Sequence, residues 1–132
     1  MDHKITSIQL KLSKSKALLS EVDVLIGHGF YITAISRLYY SCFHATKALL
    51  LTKDLVPKTH SGVVNVLHQH FVQISEFDSA HASIFSRLMQ ERIEDDYSDA
   101  MIINKEEVEE FIGPARNYMA YVDMLITKCF SA

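Results

Sequence analysis

ITAISRLYYSCFHATKALL, residues 32–50, is the stretch on which the reading of the fold turns. At about 100° per residue, Ile32, Ile35, Tyr39, Cys42, Phe43, Thr46, Leu49 and Leu50 collect on one side of a helix, and that side reads as core. Arg37, Ser41, His44 and Ala48 fall on the opposite side. Arg37 and His44 stand nearly in register, separated by about 10 Å along the axis, so a long guanidinium and a shorter imidazole can converge on one anion. The flanking residues Ala34, Ser41, Ala45 and Ala48 are small and let a second backbone approach closely. This side is therefore expected to meet another helix, from the same chain or from a second copy.

Helical spacing extends in both directions from this segment. Upstream, Ile5, Ile8, Leu12, Leu19, Val22 and Ile26 make one face of a helix over about residues 2–27, whose other side carries Lys4, Lys11 and Lys14. Gly27-His28-Gly29 then supplies the backbone freedom for a turn into the second helix, over about residues 30–52. Downstream, residues 53–57 break the pattern, and Thr59 or Ser61 can cap a third helix through Val63, Leu67, His70 and Ile74. Asp78 can cap a fourth, with Ile84, Phe85 and Leu88 as its apolar face. Asn104 and Glu107 have capping-box spacing at the start of a fifth, faced by Val108, Phe111, Ala115, Met119, Val122 and Ile126. Pro114 lies inside that last helix, where a kink is expected rather than a break. Strand-like alternation and internal repeats are absent from the sequence. The expected architecture is all-α: one domain over residues 1–132, an antiparallel up-and-down bundle of about five helices, four long and one short.

Composition narrows the function classes. A chain of 132 residues that is 48% hydrophobic can bury one core without disulfide or metal staples. Cys42 and Cys129 are too few for a disulfide framework, the first residues lack a signal-peptide core, and no apolar run reaches the ~18 residues that span a bilayer. A cytoplasmic protein is expected. The charge is uneven, +4 over residues 1–60 and −7 over residues 61–132, yet no dense basic stripe of a nucleic-acid-coating protein appears. His68 and His70 project about 200° apart on a helix and cannot share a metal. His44, His60 and His81 lack metal-ligand spacing, and Glu91, Glu94 and Asp95 read as a solvated acidic face, so neither a metal nor a cofactor is expected. Lys58 and His60 stand at a helix start, suited to an anion or to plain capping, and Arg92 and Asp96 are spaced for an intrahelical ion pair.

Three blocks occur in order along most of the chain: Ser36-Arg37-Leu38-Tyr39-Tyr40-Ser41-Cys42-Phe43-His44, then Lys58-Thr59-His60-Ser61-Gly62, then Arg92-Ile93-Glu94-Asp95-Asp96-Tyr97. Together they resemble the HEPN (higher eukaryote and prokaryote nucleotide-binding) domains, whose hallmark is an Arg and a His with four to six residues between them on the second helix. Arg37 and His44 match the six-residue form. The resemblance implies a homodimer that brings two Arg/His pairs to one cleft. It further implies a metal-independent endoribonuclease leaving 2′,3′-cyclic phosphate and 5′-hydroxyl ends, often the toxin beside a minimal nucleotidyltransferase antitoxin. On that reading Arg37 and His44 are catalytic, and Ser41, Lys58, His60, Arg92 and Asp96 contact RNA or nucleotide. Leu38 departs from the pattern, since the active ribonucleases commonly carry a polar residue there. A non-catalytic module binding a nucleotide or a nucleotidyltransferase, and a plain helical interaction protein, remain the alternatives.

Overall fold

The computed structural model describes the backbone of residues 3–97 and 104–131 and the side chains of residues 3–91 and 104–130. The periodic segments form five α-helices: α1 (His3–Gly27), α2 (Tyr31–Leu51), α3 (His60–Leu67), α4 (Ser79–Tyr97) and α5 (Lys105–Ser131). No strand occurs among the described residues. The caps are those the sequence offered. Gly29 adopts φ +78°, and the Gly29 and Phe30 amides donate to the Ile26 and Leu25 carbonyls, which turns the chain from α1 directly into α2. Thr59, not Ser61, caps α3 by accepting from the Gly62 amide at 2.9 Å. Asp78 accepts from the Ala80 amide and Asn104 from the Glu107 amide.

Two details differ from simple periodicity. After α3 the helix widens into a single π-turn, His68–Val72, and stops there instead of reaching Ile74. Phe71 is thereby buried while Ile74 is left half exposed. Pro114 is accommodated within one continuous α5.

Helix α2 is the centre of the bundle, in contact with all four other helices. Its apolar side carries Tyr39, which stacks on Phe85 of α4 at 5.9 Å; Phe85 in turn stacks on Tyr118 of α5 at 5.7 Å. Such ring pairs contribute about 0.5–1.5 kcal/mol each beyond their buried area. Leu38 is also wholly buried, so the residue after Arg37 faces the core.

The small-residue side of α2 is covered as well. Ala34, Ser41, Ala45 and Ala48 are all fully buried, chiefly beneath α1. Where the two helices cross, the Ser15 hydroxyl donates to the Ser41 carbonyl at 2.6 Å and the Ser41 hydroxyl returns a bond to the Ser15 carbonyl at 3.0 Å. Met119 Sδ of α5 lies 2.9 Å from the one hydroxyl and 3.3 Å from the other. Of the two occupants expected for this small-residue side, a helix of the same chain or of a second copy, it is α1 of the same chain that covers it. Ser41 is corrected from a candidate ligand contact to a buried part of the helix crossing. On the wheel Ser41 and Ala48 stand only about 40° and 20° from Arg37, and α1 arrives from that flank.

No described helix is long and apolar enough to cross a membrane.

Candidate functional site

Besides Tyr31, Ile32 and Ser36 near its start, α2 leaves one stripe open along its length: Thr33, Arg37, Tyr40, His44, Lys47 and Leu51. Their spacing of three and four residues keeps them on one face. Leu10, Lys11 and Lys14 of α1 rise beside this stripe, and with His44 and Lys47 they line a cleft of about 250 Å³.

His44 sits partly buried between rings, 6.3 Å from Tyr40 and edge-on to Phe43 at 5.5 Å. It has no hydrogen-bond partner among the described residues. Burial first, and then the positive charges of Lys14, Lys47 and Lys11 with a contribution from His60, pull its pKa down to about 4. The imidazole is therefore neutral near pH 7, with a free lone pair. Lys47 is also pushed below the ordinary lysine range, by burial and then by Lys11, Lys14 and Lys58.

These cations crowd one another without neutralisation. Elsewhere Lys4, Lys16 and Lys53 pair with Asp54, Asp123 and Glu76. Lys11, Lys14, Lys47 and Lys58 have no carboxylate partner among the described residues. Lys11 donates instead to the Ser7 hydroxyl at 2.9 Å. The cleft thus presents several cations with no carboxylate partner among the described residues, Lys47 lying 5.3 Å over the Phe43 ring, and one neutral base, a set suited to a phosphodiester.

Arg37 donates from Nε to Glu21 Oε2 of α1 at 2.7 Å. Both side chains are substantially exposed, so the pair contributes at most about 1 kcal/mol. Its significance is geometric. Glu21 engages Nε, while the two terminal amines of the guanidinium have no partner among the described residues.

Of the other residues singled out by sequence, His60 joins the site. Its Nδ1 is hydrogen-bonded to the Tyr39 hydroxyl, and its ring stacks on Phe43 at 4.5 Å. Lys58 is exposed just before it and close enough for its charge to act on Lys47. Ser41 is sealed away, and the side chains of Arg92 and Asp96 lie outside the described residues. Sequence reasoning passed over Lys11, Lys14, Lys47 and Glu21 as site residues. The available signal was the three-residue step of Lys11 and Lys14 on the polar face of α1, matched by the same step from His44 to Lys47. No group of three or more potential metal-ligating side chains occurs among the described residues.

Comparison with known proteins places this geometry in context. Two Methanocaldococcus jannaschii proteins described as candidate toxins are similar to this chain. One is 37% identical over 98 residues, covering 74% of this chain and 67% of the relative; the other is 32% identical over 112 residues, covering 85% and 83%. A crystal structure of a Thermus thermophilus protein shares the fold, with a TM-score of 0.75 at 20% identity over 89% of this chain and 97% of that one. The family model for the HEPN domain matches residues 8–125, nearly the whole bundle together with every residue of the cleft, and the chain accordingly belongs to the HEPN domain family.

Proposed function

We propose that this chain is a HEPN-type endoribonuclease acting as the toxin of a toxin and antitoxin pair, with a minimal nucleotidyltransferase as its antitoxin. The observation that carries the reading is the neutral His44, without a hydrogen-bond partner among the described residues, in a cleft of lysines that lack carboxylate partners among the same residues. The candidate-toxin descriptions of the two relatives support it.

The chemistry follows from the donor set. Neutral His44 takes the proton of a ribose 2′-hydroxyl as its oxygen attacks the adjacent phosphorus. The bond to the 5′-oxygen breaks, and that oxygen takes a proton from a second imidazole, leaving a 2′,3′-cyclic phosphate and a 5′-hydroxyl. One chain brings one such His44, so the second comes from a second copy facing the same cleft. Because α1 covers the small-residue side of α2, the two copies meet through the open stripe. An entering phosphate offsets Lys11, Lys14 and Lys47 and raises the pKa of His44, which lets one imidazole of the pair carry the proton that the leaving oxygen needs. Arg37, held at Nε by Glu21, turns its terminal amines to the phosphoryl oxygens.

Incubating the purified protein with 5′-labelled RNA in the presence of chelator tests this. Fragments with cyclic phosphate ends, lost in His44→Ala, are expected, together with a dimer in light scattering at tens of micromolar. Equal cleavage by His44→Ala, or a monomer that cleaves, overturns the mechanism. A second reading, a module that binds a nucleotide or a nucleotidyltransferase without cutting RNA, is favoured by one observation: the residue after Arg37 is Leu38, which is buried in the core and offers no polar side chain to orient the imidazole. Growth arrest on expression supports the toxin; harmless overproduction supports the module.

A further inference from the structure

The His44 cleft does not end at the lysines. Lys11 and Lys47 also line a second, adjoining cavity of about 160 Å³. Its walls are Leu51 at the end of α2 and Leu55, Val56 and Pro57 of the segment that follows, and Ser7 of α1 completes the rim. Because α1 and α2 run antiparallel, the groove has an order. Arg37 with Glu21 comes first, His44 with Lys14 next, then Lys47 with Lys11, and last the apolar slot, Leu51 standing about 10 Å beyond His44 along the axis.

We propose that this slot holds the base of a pyrimidine nucleotide neighbouring the phosphate at His44, with Lys11 and Lys47 on the phosphate between them; this deepens the ribonuclease reading and rests on it for the identity of the polymer. Three observations converge. The walls are apolar and the mouth carries two lysines without carboxylate partners among the described residues, the combination that a base attached to a phosphate requires. The volume of about 160 Å³ is close to the ~150 Å³ hole that accommodates a benzene ring, so it matches a single six-membered ring more closely than the two fused rings of a purine. Ser7 accepts its hydrogen bond from Lys11 Nζ at 2.9 Å, which leaves the hydroxyl proton to be donated to a ring carbonyl oxygen.

The test titrates the full chain with uridine, cytidine, adenosine and guanosine monophosphates by calorimetry, and in parallel with single-stranded oligouridylate and oligoadenylate. The pyrimidine nucleotides are expected to bind about tenfold tighter than the purine ones, and Val56→Trp, which fills the slot from an exposed position, is expected to erase that difference. Ile74→Trp, on an exposed residue that lines neither cavity, serves as the control and keeps it. Equal binding of all four nucleotides overturns the proposal. So does a Val56→Trp protein, folded by circular dichroism, that still prefers pyrimidines. A preference seen with mononucleotides but not with oligomers assigns the slot to a free nucleotide rather than to RNA. The two readings fail separately: RNA cleavage without base preference removes the slot, while pyrimidine binding without cleavage removes the nuclease and leaves the slot standing.

Discussion

The two flanks of α2 look alike on a helical wheel and behave oppositely in the fold. On one, Ser41 and Ala48 are fully buried, and Ser41 exchanges hydrogen bonds with Ser15 beneath α1. On the other, Arg37, Tyr40, His44 and Lys47 stay at least partly exposed, and Lys11, Lys14 and Lys47 stand together with no carboxylate partner among the described residues. The covered flank spends its polar groups on the protein itself; the open flank keeps them in reserve. Polarity alone therefore does not mark a site. What marks it is polarity that the folded chain leaves unsatisfied, because a surface carrying like charges together is stabilised by a ligand of opposite charge.

Substitutions on the two flanks and in the core between helices should separate stability from activity, and the largest effect belongs to the core. Phe85→Ala, which removes the ring between Tyr39 and Tyr118, should cost about 3–5 kcal/mol in urea unfolding. On the open flank, His44→Ala should lower RNA cleavage by about 10²-fold or more, with an unfolding midpoint close to that of the parent. If the His44→Ala protein instead loses stability like a core variant, the two flanks are not distinct in kind. Arg37→Ala should cost about 10²-fold in rate, and Glu21→Gln less, because the terminal amines survive while their positioning loosens. A Glu21→Gln protein as impaired as Arg37→Ala would make the carboxylate a participant rather than a positioning group.

Smaller effects sharpen the contrast further. On the covered flank, Ser15→Ala should cost about 1 kcal/mol through its lost bond to the Ser41 carbonyl, with cleavage unchanged. The pH dependence of folding gives the finest test. His44 titrates near 4 in the folded chain and near its ordinary value of about 6.5 when unfolded, so between these values the unfolded chain binds more protons. Its contribution is complete above pH 6.5 and is lost as the pH falls toward 4. The parent should therefore lose more stability than His44→Gln between pH 7.5 and pH 5, and Lys14→Gln should reduce the gap by relieving one of the repulsions. Identical pH profiles for parent and His44→Gln would mean that the cleft does not hold the imidazole neutral.

Much of the fold was legible in the sequence because its determinants are local. Apolar residues three and four apart select the buried face of a helix. Thr59, Asp78 and Asn104 announce helix starts because their side chains accept amides only a few residues away. The early end of the third helix was not legible, since the π-turn His68–Val72 depends on packing Phe71 into the core rather than on any capping residue.

The candidate site divides in the same way. Arg37, His44, Lys58 and His60 could be picked out from residue type and spacing, which are properties of the chain taken alone. Whether Ser41 belonged with them, whether the small-residue flank faced a second copy, and whether any lysine of α1 stood beside His44 all depended on where α1 came to rest. That docking is set by contacts between residues far apart in sequence, such as Ser15 with Ser41 and Arg37 with Glu21. Helical periodicity specifies the face of each helix but not which neighbour lies against it, so only the tertiary structure could decide which half of the polar side of α2 became core and which half became cleft.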